Sequence, residues 1–320
     1  MIDLAAIFSD VMAMDPSALP MLREQIRLIA AGAPNAVATR RTTSSAAPAP
    51  SYIAVIPITG VLTPQPTWVG ELLGWTPCSE ISAAVTAAAA DDQVEQILLS
   101  VNSPGGSCFA TQETGDAILG ARSKKTVTAF VNPLCASGAY WLASQATRVL
   151  MMPSGQCGSV GVFAVHYDQS RALDAAGITA TYVFSGRFKV EQNEDQPLTD
   201  EARAFAQGMV QDYYQTFVNA VARGRGVSAS TVQASFGQGR MFGAREAVRV
   251  GMVDATANSL LDVVNSQRSE RGRPASTSSK PRLAAMQREL EMSEIENGLT
   301  RAPSALARAQ REVAIAEGEL

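Results

Sequence analysis

Two short runs constrain this chain most. Glu95–Val101 (EQILLSV) and Thr126–Val131 (TVTAFV) are apolar, rich in β-branched residues, and lack strict polar/apolar alternation. A strand of that kind has no solvated face, which is the signature of a parallel sheet covered by helices on both sides. Cys108–Gly120, between them, reads as the crossover helix. The same pattern continues on either side, with strands predicted at Tyr52–Ile58, Arg148–Met152 and Val160–Val165 and an extended run at Thr179–Phe184. Helices are predicted at Ser79–Ala90, Ser137–Ser144, Asp168–Ala176 and Thr199–Arg223, with Thr76 as N-cap and Pro77 in the first turn of the earliest one. The expected fold class is α/β.

The 320 residues divide by composition. Residues 1–32 read as an N-terminal helical segment, with Leu22, Ile26 and Ile29 spaced for one face. Residues 33–51 are rich in Ala, Pro, Ser and Thr and read as a linker. Residues 52–265 form the expected core. Residues 266–281 are polar and read as a second linker. Residues 282–320 read as a charged helical tail, in which Leu306, Ala309, Val313 and Ala316 follow a heptad-like spacing.

Charge and cysteine usage exclude several classes. The net charge is −4, so no basic face is expected and no nucleic acid partner. Met1-Ile2-Asp3-Leu4 lacks the basic region of a signal peptide, and the alanine-rich run Ile81–Ala90 is too short for a membrane anchor. Cys78, Cys108, Cys135 and Cys157 contain no C-x-x-C pair, so neither a metal site nor a redox motif is expected; they read as reduced cysteines of a cytosolic protein. No cofactor is implied.

The chemistry concentrates in three places. Ser137 lies in Val131–Trp141 (VNPLCASGAYW), between alanine and glycine at a strand-to-helix step, where its hydroxyl is sterically free. Asn102-Ser103-Pro104-Gly105-Gly106 reads as a tight glycine turn after an apolar strand, offering bare backbone N–H groups to a developing oxyanion. A neutral serine hydroxyl needs a base. The chain has a single histidine, His166, but Lys189, in Gly186-Arg187-Phe188-Lys189, is a candidate if Phe188 and Val190 bury it and favour the neutral amine. The pattern points to a serine–lysine peptidase, a variant of the Ser–His–Asp plan. Glu191, Glu194 and Asp195 follow the lysine and are expected to face solvent.

Asn102–Gly106 followed by Ala136–Trp141 resembles the peptidase domain of the signal peptide peptidase A family, whose fold is related to the crotonase and Clp-protease group and built of repeated β-β-α units. The likeness covers roughly residues 52–265. It implies that Ser137 is the nucleophile and that Lys189, in a G-x-[YF]-K loop followed by Pro197, is the general base. Gly158-Ser159-Val160-Gly161-Val162 resembles the family's G-S-[IV]-G-V segment, which makes Ser159 the residue that orients the lysine. The backbone N–H groups of Gly106 and Gly138 are then the oxyanion hole. Gly243–Ala247 and Gly251–Asp254 resemble the family's closing element. Ala139 stands where the family usually has a second glycine.

The layout is similar to the head-maturation proteases of tailed phages and prophages, where this fold is joined to a scaffold-like C-terminal region. That likeness implies an endopeptidase in the bacterial cytoplasm or inside a procapsid, acting on scaffold, portal or capsid proteins or on itself, and a homo-oligomer. Ala46, Ala47 and Ala49 in the first linker are candidate sites for self-cleavage. A cytosolic housekeeping peptidase is the near alternative. A crotonase-type acyl-CoA enzyme and a non-enzymatic assembly protein are the alternatives from other classes. Within the peptidase reading, His166 with Asp168 is the alternative to Lys189.

Overall fold

The computed structural model describes residues 12–14, 16–18, 20 and 52–269. In chain order the elements begin with β1 (Met12–Met14), β2 (Tyr52–Thr63), α1 (Trp68–Leu73), β3 (Thr76–Pro77), α2 (Cys78–Ala90) and β4 (Val94–Ser107). They continue with α3 (Thr111–Ala121), β5 (Thr126–Ala136), α4 (Gly138–Ala143), β6 (Arg148–Met151), β7 (Gln156–Gly158) and α5 (Ser170–Ala175). The last are α6 (Asp200–Arg225), α7 (Ala229–Ser235), β8 (Met241–Gly243), α8 (Ala244–Arg249), β9 (Ala255–Thr256) and α9 (Leu260–Ser269).

The main sheet runs β3-β2-β4-β5-β6-β9, and every pairing along that path is parallel. This is the expected α/β architecture. Ile97, Leu99, Val101, Val127, Ala129 and Val131 are buried with Ile81, Val85 and Ile118 of the crossover helices. Leu98 and Phe130 point the opposite way and pack with Val263 of α9. Both faces of the two central strands are therefore apolar and covered, which is why their sequences do not alternate.

β5 divides its partners. Thr128–Val131 pairs with β6, whereas Leu134–Ala136 pairs with β7, which in turn pairs antiparallel with β8. After Ala136 the chain leaves the sheet, and β4 loses its neighbour on that side. The vacated edge is taken by β1, which runs antiparallel with Met12 opposite Ser107, Ala13 opposite Gly106 and Met14 opposite Gly105.

Several boundaries differ from the sequence reading. Asn102–Gly106 is not a turn: β4 runs through it as extended chain, with a register shift between Val101 and Ser103. The Ser103 hydroxyl stabilises that irregularity by donating to the Gly60 carbonyl at 2.6 Å and accepting from the Gly105 N–H at 3.1 Å. Thr76 does not cap α2. Its hydroxyl donates instead to the Thr59 carbonyl at 2.6 Å, and Pro77 holds the N-cap position. Val160–Val165 is not a sheet strand; only Phe163 pairs, and it does so with Met12. Thr179–Phe184 forms no regular element.

Residues 12–14, expected within a helical segment, are a strand because the open edge of β4 offers them backbone partners. The second linker was expected from residue 266, but α9 continues to Ser269, and buried Gln267 donates to the Thr128 hydroxyl at 2.7 Å. The first linker, the Leu22–Ile29 face and the C-terminal tail lie outside the described residues. Among the described residues no helix is long and apolar enough to cross a membrane.

All four cysteines are unpaired and buried. Burial pushes the Cys108 and Cys157 thiols up to about 12 and raises those of Cys78 and Cys135 as well. Only the thiolate reacts with disulfide reagents. Thiol titration near pH 8 is therefore expected to find the native protein on the order of 10³-fold slower than the denatured chain. Rapid modification of the folded protein would contradict this burial.

Candidate active site

The site is built where β4 ends and β5 gives way to α4. Ser137 occupies the corner, with φ 51° and ψ −118°, a left-handed conformation that a side chain rarely adopts. Such strain costs about 1–3 kcal/mol and persists only where the surroundings enforce it. Here the Ser137 N–H donates to the Gly158 carbonyl at 2.8 Å, while the Trp141 N–H donates to the Ser137 carbonyl at 2.9 Å. The Ser137 hydroxyl donates to the Gly161 carbonyl at 3.3 Å. Ser159, in the facing segment, is also left-handed at φ 53°, and its N–H donates to the Arg240 carbonyl at 2.9 Å. Both serines are buried.

The two glycines of β4 are sterically compulsory. A Cβ on Gly105, where φ is +92°, would lie 2.2 Å from the Ala13 carbonyl oxygen and 2.8 Å from both the Ala136 oxygen and the Gly138 nitrogen. A Cβ on Gly106 would lie 2.0 Å from the Leu62 oxygen. Bare backbone is thus the only surface that fits between β2 and the start of α4. The expected oxyanion donors, Gly106 and Gly138, lie at this point, on the strand and on the first residue of the helix.

α4 is rigidly embedded, and all six of its residues are buried. Trp141 stacks on Phe217 of α6, with ring centroids 4.7 Å apart and planes within 10°. The Tyr140 hydroxyl donates to the Met252 carbonyl at 2.8 Å. The loop bearing Met252 is held by Arg225, whose guanidinium donates to the Gly251 carbonyl at 3.1 and 3.2 Å and to Asp254 at 2.6 and 3.1 Å. The Asp254 carboxylate also accepts from the Val149 N–H at 2.7 Å. The hydrogen bond and charge of Asp254 outweigh the cost of burial and raise the Arg225 pKa, so the guanidinium stays charged.

The two candidate bases are placed differently. Lys189 is exposed, on a stretch from Ala176 to Thr199 with no helix or strand, and no hydrogen bond joins its amine to Ser137 or Ser159. Phe188 does not bury it, because Arg187 lies over the Phe188 ring at 4.7 Å and itself donates to Glu201 at 2.9 Å. Two of the acids after the lysine are engaged elsewhere: Glu194 accepts from Gln169 and Asp195 accepts from the Tyr182 hydroxyl, each at 2.5 Å. His166 is likewise not bonded to Ser137. It lines a cleft of about 890 Å³ together with Val162, Phe163, Asp168, Arg203 and Val210. Its Nε2 is buried without a hydrogen-bond partner. Asp168 has a lowered pKa mainly because it accepts from Ser170, with His166 a lesser influence. Ser137, Ser159, Gly106 and Gly138 are thus gathered at one corner, with both bases outside hydrogen-bonding reach. Among the described residues no three His, Cys, Asp or Glu side chains converge as metal ligands.

Sequence reasoning missed β1, which contributes backbone to this corner. A three-residue Met-Ala-Met run carries no motif that could have revealed it. It also missed Arg225, which reads in sequence as one more basic residue near a helix end.

The sequence model of peptidase family S49 matches residues 120–272, a span that starts before Ser137 and includes Ser159 and Lys189. That segment resembles peptidase family S49. The chain is similar to capsid assembly protease C of Escherichia phage lambda, 31% identical over 207 residues, covering 65% of this chain and 47% of that protein. It is similar to the head-tail preconnector protein GP5 of Enterobacteria phage P21, 31% identical over 206 residues, covering 64% of this chain and 41% of that protein. A relative named for signal peptide peptidase A, from Enterococcus faecium, is 31% identical over 168 residues, covering 51% of this chain and 48% of that one. The chain thus spans about half the length, or less, of these relatives. The signal peptide peptidase A resemblance read from the motifs and the S49 match fall on the same group of proteases.

Proposed function

We propose that the chain is a serine endopeptidase in which Ser137 attacks the peptide carbonyl and Lys189 removes its proton. The observation that carries this reading is the strained Ser137 corner, set beside bare glycine backbone within a family S49 segment. The N–H groups of Gly106 and Gly138 stabilise the oxyanion, a contribution worth about 10²–10³ in turnover per donor. Lys189 reaches the serine through movement of its irregular 176–199 stretch, a step separate from occupation of the cleft, and Ser159 then orients the amine. Catalytic hydrogen bonds often tighten only as the reacting complex forms, so an exposed lysine in this structure is compatible with this role.

The reading of its biological substrates is supported by the two phage relatives, named for capsid assembly and the head-tail preconnector. We take the protein to be a head-maturation protease that cleaves scaffold, portal or capsid proteins in the host cytoplasm or inside the procapsid, working as a homo-oligomer.

A fluorophosphonate probe should label the wild type at Ser137 and leave Ser137→Ala unlabelled. Hydrolysis of a fluorogenic peptide should be faster at alkaline than at neutral pH, because the reaction needs the amine unprotonated. A rate that falls steadily above neutrality would exclude a lysine base.

A further inference from the structure

β1 lies where a peptide substrate would lie. Its hydrogen-bonding pattern fixes which residue faces the chemistry. Met12 exchanges both backbone hydrogen bonds with Phe163, N–H to carbonyl at 2.9 Å and carbonyl from N–H at 3.1 Å. In an extended strand the next residue turns its N–H and carbonyl the opposite way. Ala13 therefore presents its carbonyl to β4, where its register partner is Gly106. The same oxygen would be 2.2 Å from a Cβ on Gly105 and 3.0 Å from a Cβ on Gly138. It is thus directed between the two glycines proposed as oxyanion donors, one residue from Ser137.

The side chains alternate in the same sense. Ala13 is fully buried with Cys108 and packs on Val162 and Tyr213, a space fitted to a small residue. Met12 and Met14 face the other way, into Val61, Leu73, Trp75 and Phe163. The strand has backbone partners on both edges, β4 on one and Phe163 on the other. This is the β-augmentation mode of peptide recognition, here supplied by the chain itself.

We propose that Met12–Met14 is the enzyme's own first substrate, and that the Ala13–Met14 bond is the one presented to Ser137. This rests on the peptidase reading above. The Ser137 oxygen bonds to the Ala13 carbonyl carbon as its proton passes to the Lys189 amine. The Ala13–Met14 C–N bond then breaks, and that proton goes to the departing Met14 nitrogen. Water adds to the acyl carbon, releases Ser137, and leaves Ala13 with a free carboxylate. Until the cut is made and the fragment leaves, the strand occupies the cleft that other substrates need.

Full-length wild type, Ser137→Ala and Ala13→Arg proteins are compared by intact mass and N-terminal sequencing, alongside hydrolysis of an added fluorogenic peptide. Wild type is expected to yield a chain beginning at Met14, and Ser137→Ala to keep Met1. In Ala13→Arg the long side chain cannot enter the space beside Cys108. It should lose the Ala13–Met14 cut and, with the cleft vacated, hydrolyse the added peptide from the first moment, whereas freshly made wild type should start at least tenfold slower and speed up as the cut proceeds. A wild type that hydrolyses the peptide but stays uncut at Ala13–Met14 overturns the proposal and leaves the peptidase reading standing. A cut that also appears in Ser137→Ala overturns it as well. A wild type inert toward peptide and probe alike rejects the peptidase reading and this proposal with it.

Discussion

Ser137→Ala and Lys189→Ala are each expected to lower peptide hydrolysis by at least about 10⁴-fold, with thermal unfolding of Lys189→Ala unchanged. The serine occupies the strained step between β5 and α4, beside the bare Gly105–Gly106 backbone, whereas Ser159 stands on the facing segment and is assigned to orient the amine. Members of one catalytic unit are strongly non-additive, and the double variant should be no slower than either single one. His166→Ala should retain most activity. The assay is kcat/KM on one fluorogenic peptide for the wild type and these four variants. Full activity in Lys189→Ala would remove the lysine from the mechanism. Loss in His166→Ala together with activity in Lys189→Ala would move the base to the histidine.

The second large effect is on stability. Arg225→Met should destabilise the protein by about 3 kcal/mol, the lower end of the cost of breaking a buried ion pair. The lower end applies because the Asp254 side chain is 31% exposed, so water partly replaces the lost partner. The Gly251 carbonyl has no such relief after losing two guanidinium donors. For a domain of this size the melting temperature should fall by roughly 10 °C. A melting temperature within a degree or two of wild type would mean that Arg225 does not hold the Gly251–Asp254 loop.

The sheet was legible in the sequence because its central strands are apolar on both faces, which leaves few other places for Glu95–Val101 and Thr126–Val131. The Ser137 corner was legible because small flanking residues at a strand-to-helix step are uncommon without a steric demand. The path of Asn102–Gly106 was misread for a physical reason. Glycine and proline suggest a turn, but here the missing Cβ atoms let β2, β1 and the start of α4 approach an extended strand. The surroundings of Lys189 were misread because an adjacent phenylalanine need not bury its neighbour; Phe188 pairs with Arg187 instead. β1 left no trace in local pattern, since its structure comes from an open sheet edge far away in the chain. Gln267 looked like the start of a linker because its polarity is obvious, whereas its partner, Thr128, is not adjacent in sequence.

The bond from Tyr140 to Met252 spans 112 residues. At ribosomal rates of about 5–20 residues per second, the helix that follows Ser137 is made roughly 5–20 s before this support exists. During that interval Tyr140 has no acceptor at Met252 and Arg225 no carboxylate at Asp254. The stacking of Trp141 on Phe217 can form earlier, but the hydrogen bond that ties Tyr140 to the Gly251–Asp254 loop cannot. On the peptidase reading, proteolytic competence is therefore a property of the finished core, and a nascent chain emerging beside its neighbours on a polysome is unarmed. Under the head-maturation reading proposed above, this folding order is a built-in delay that requires no separate inhibitor.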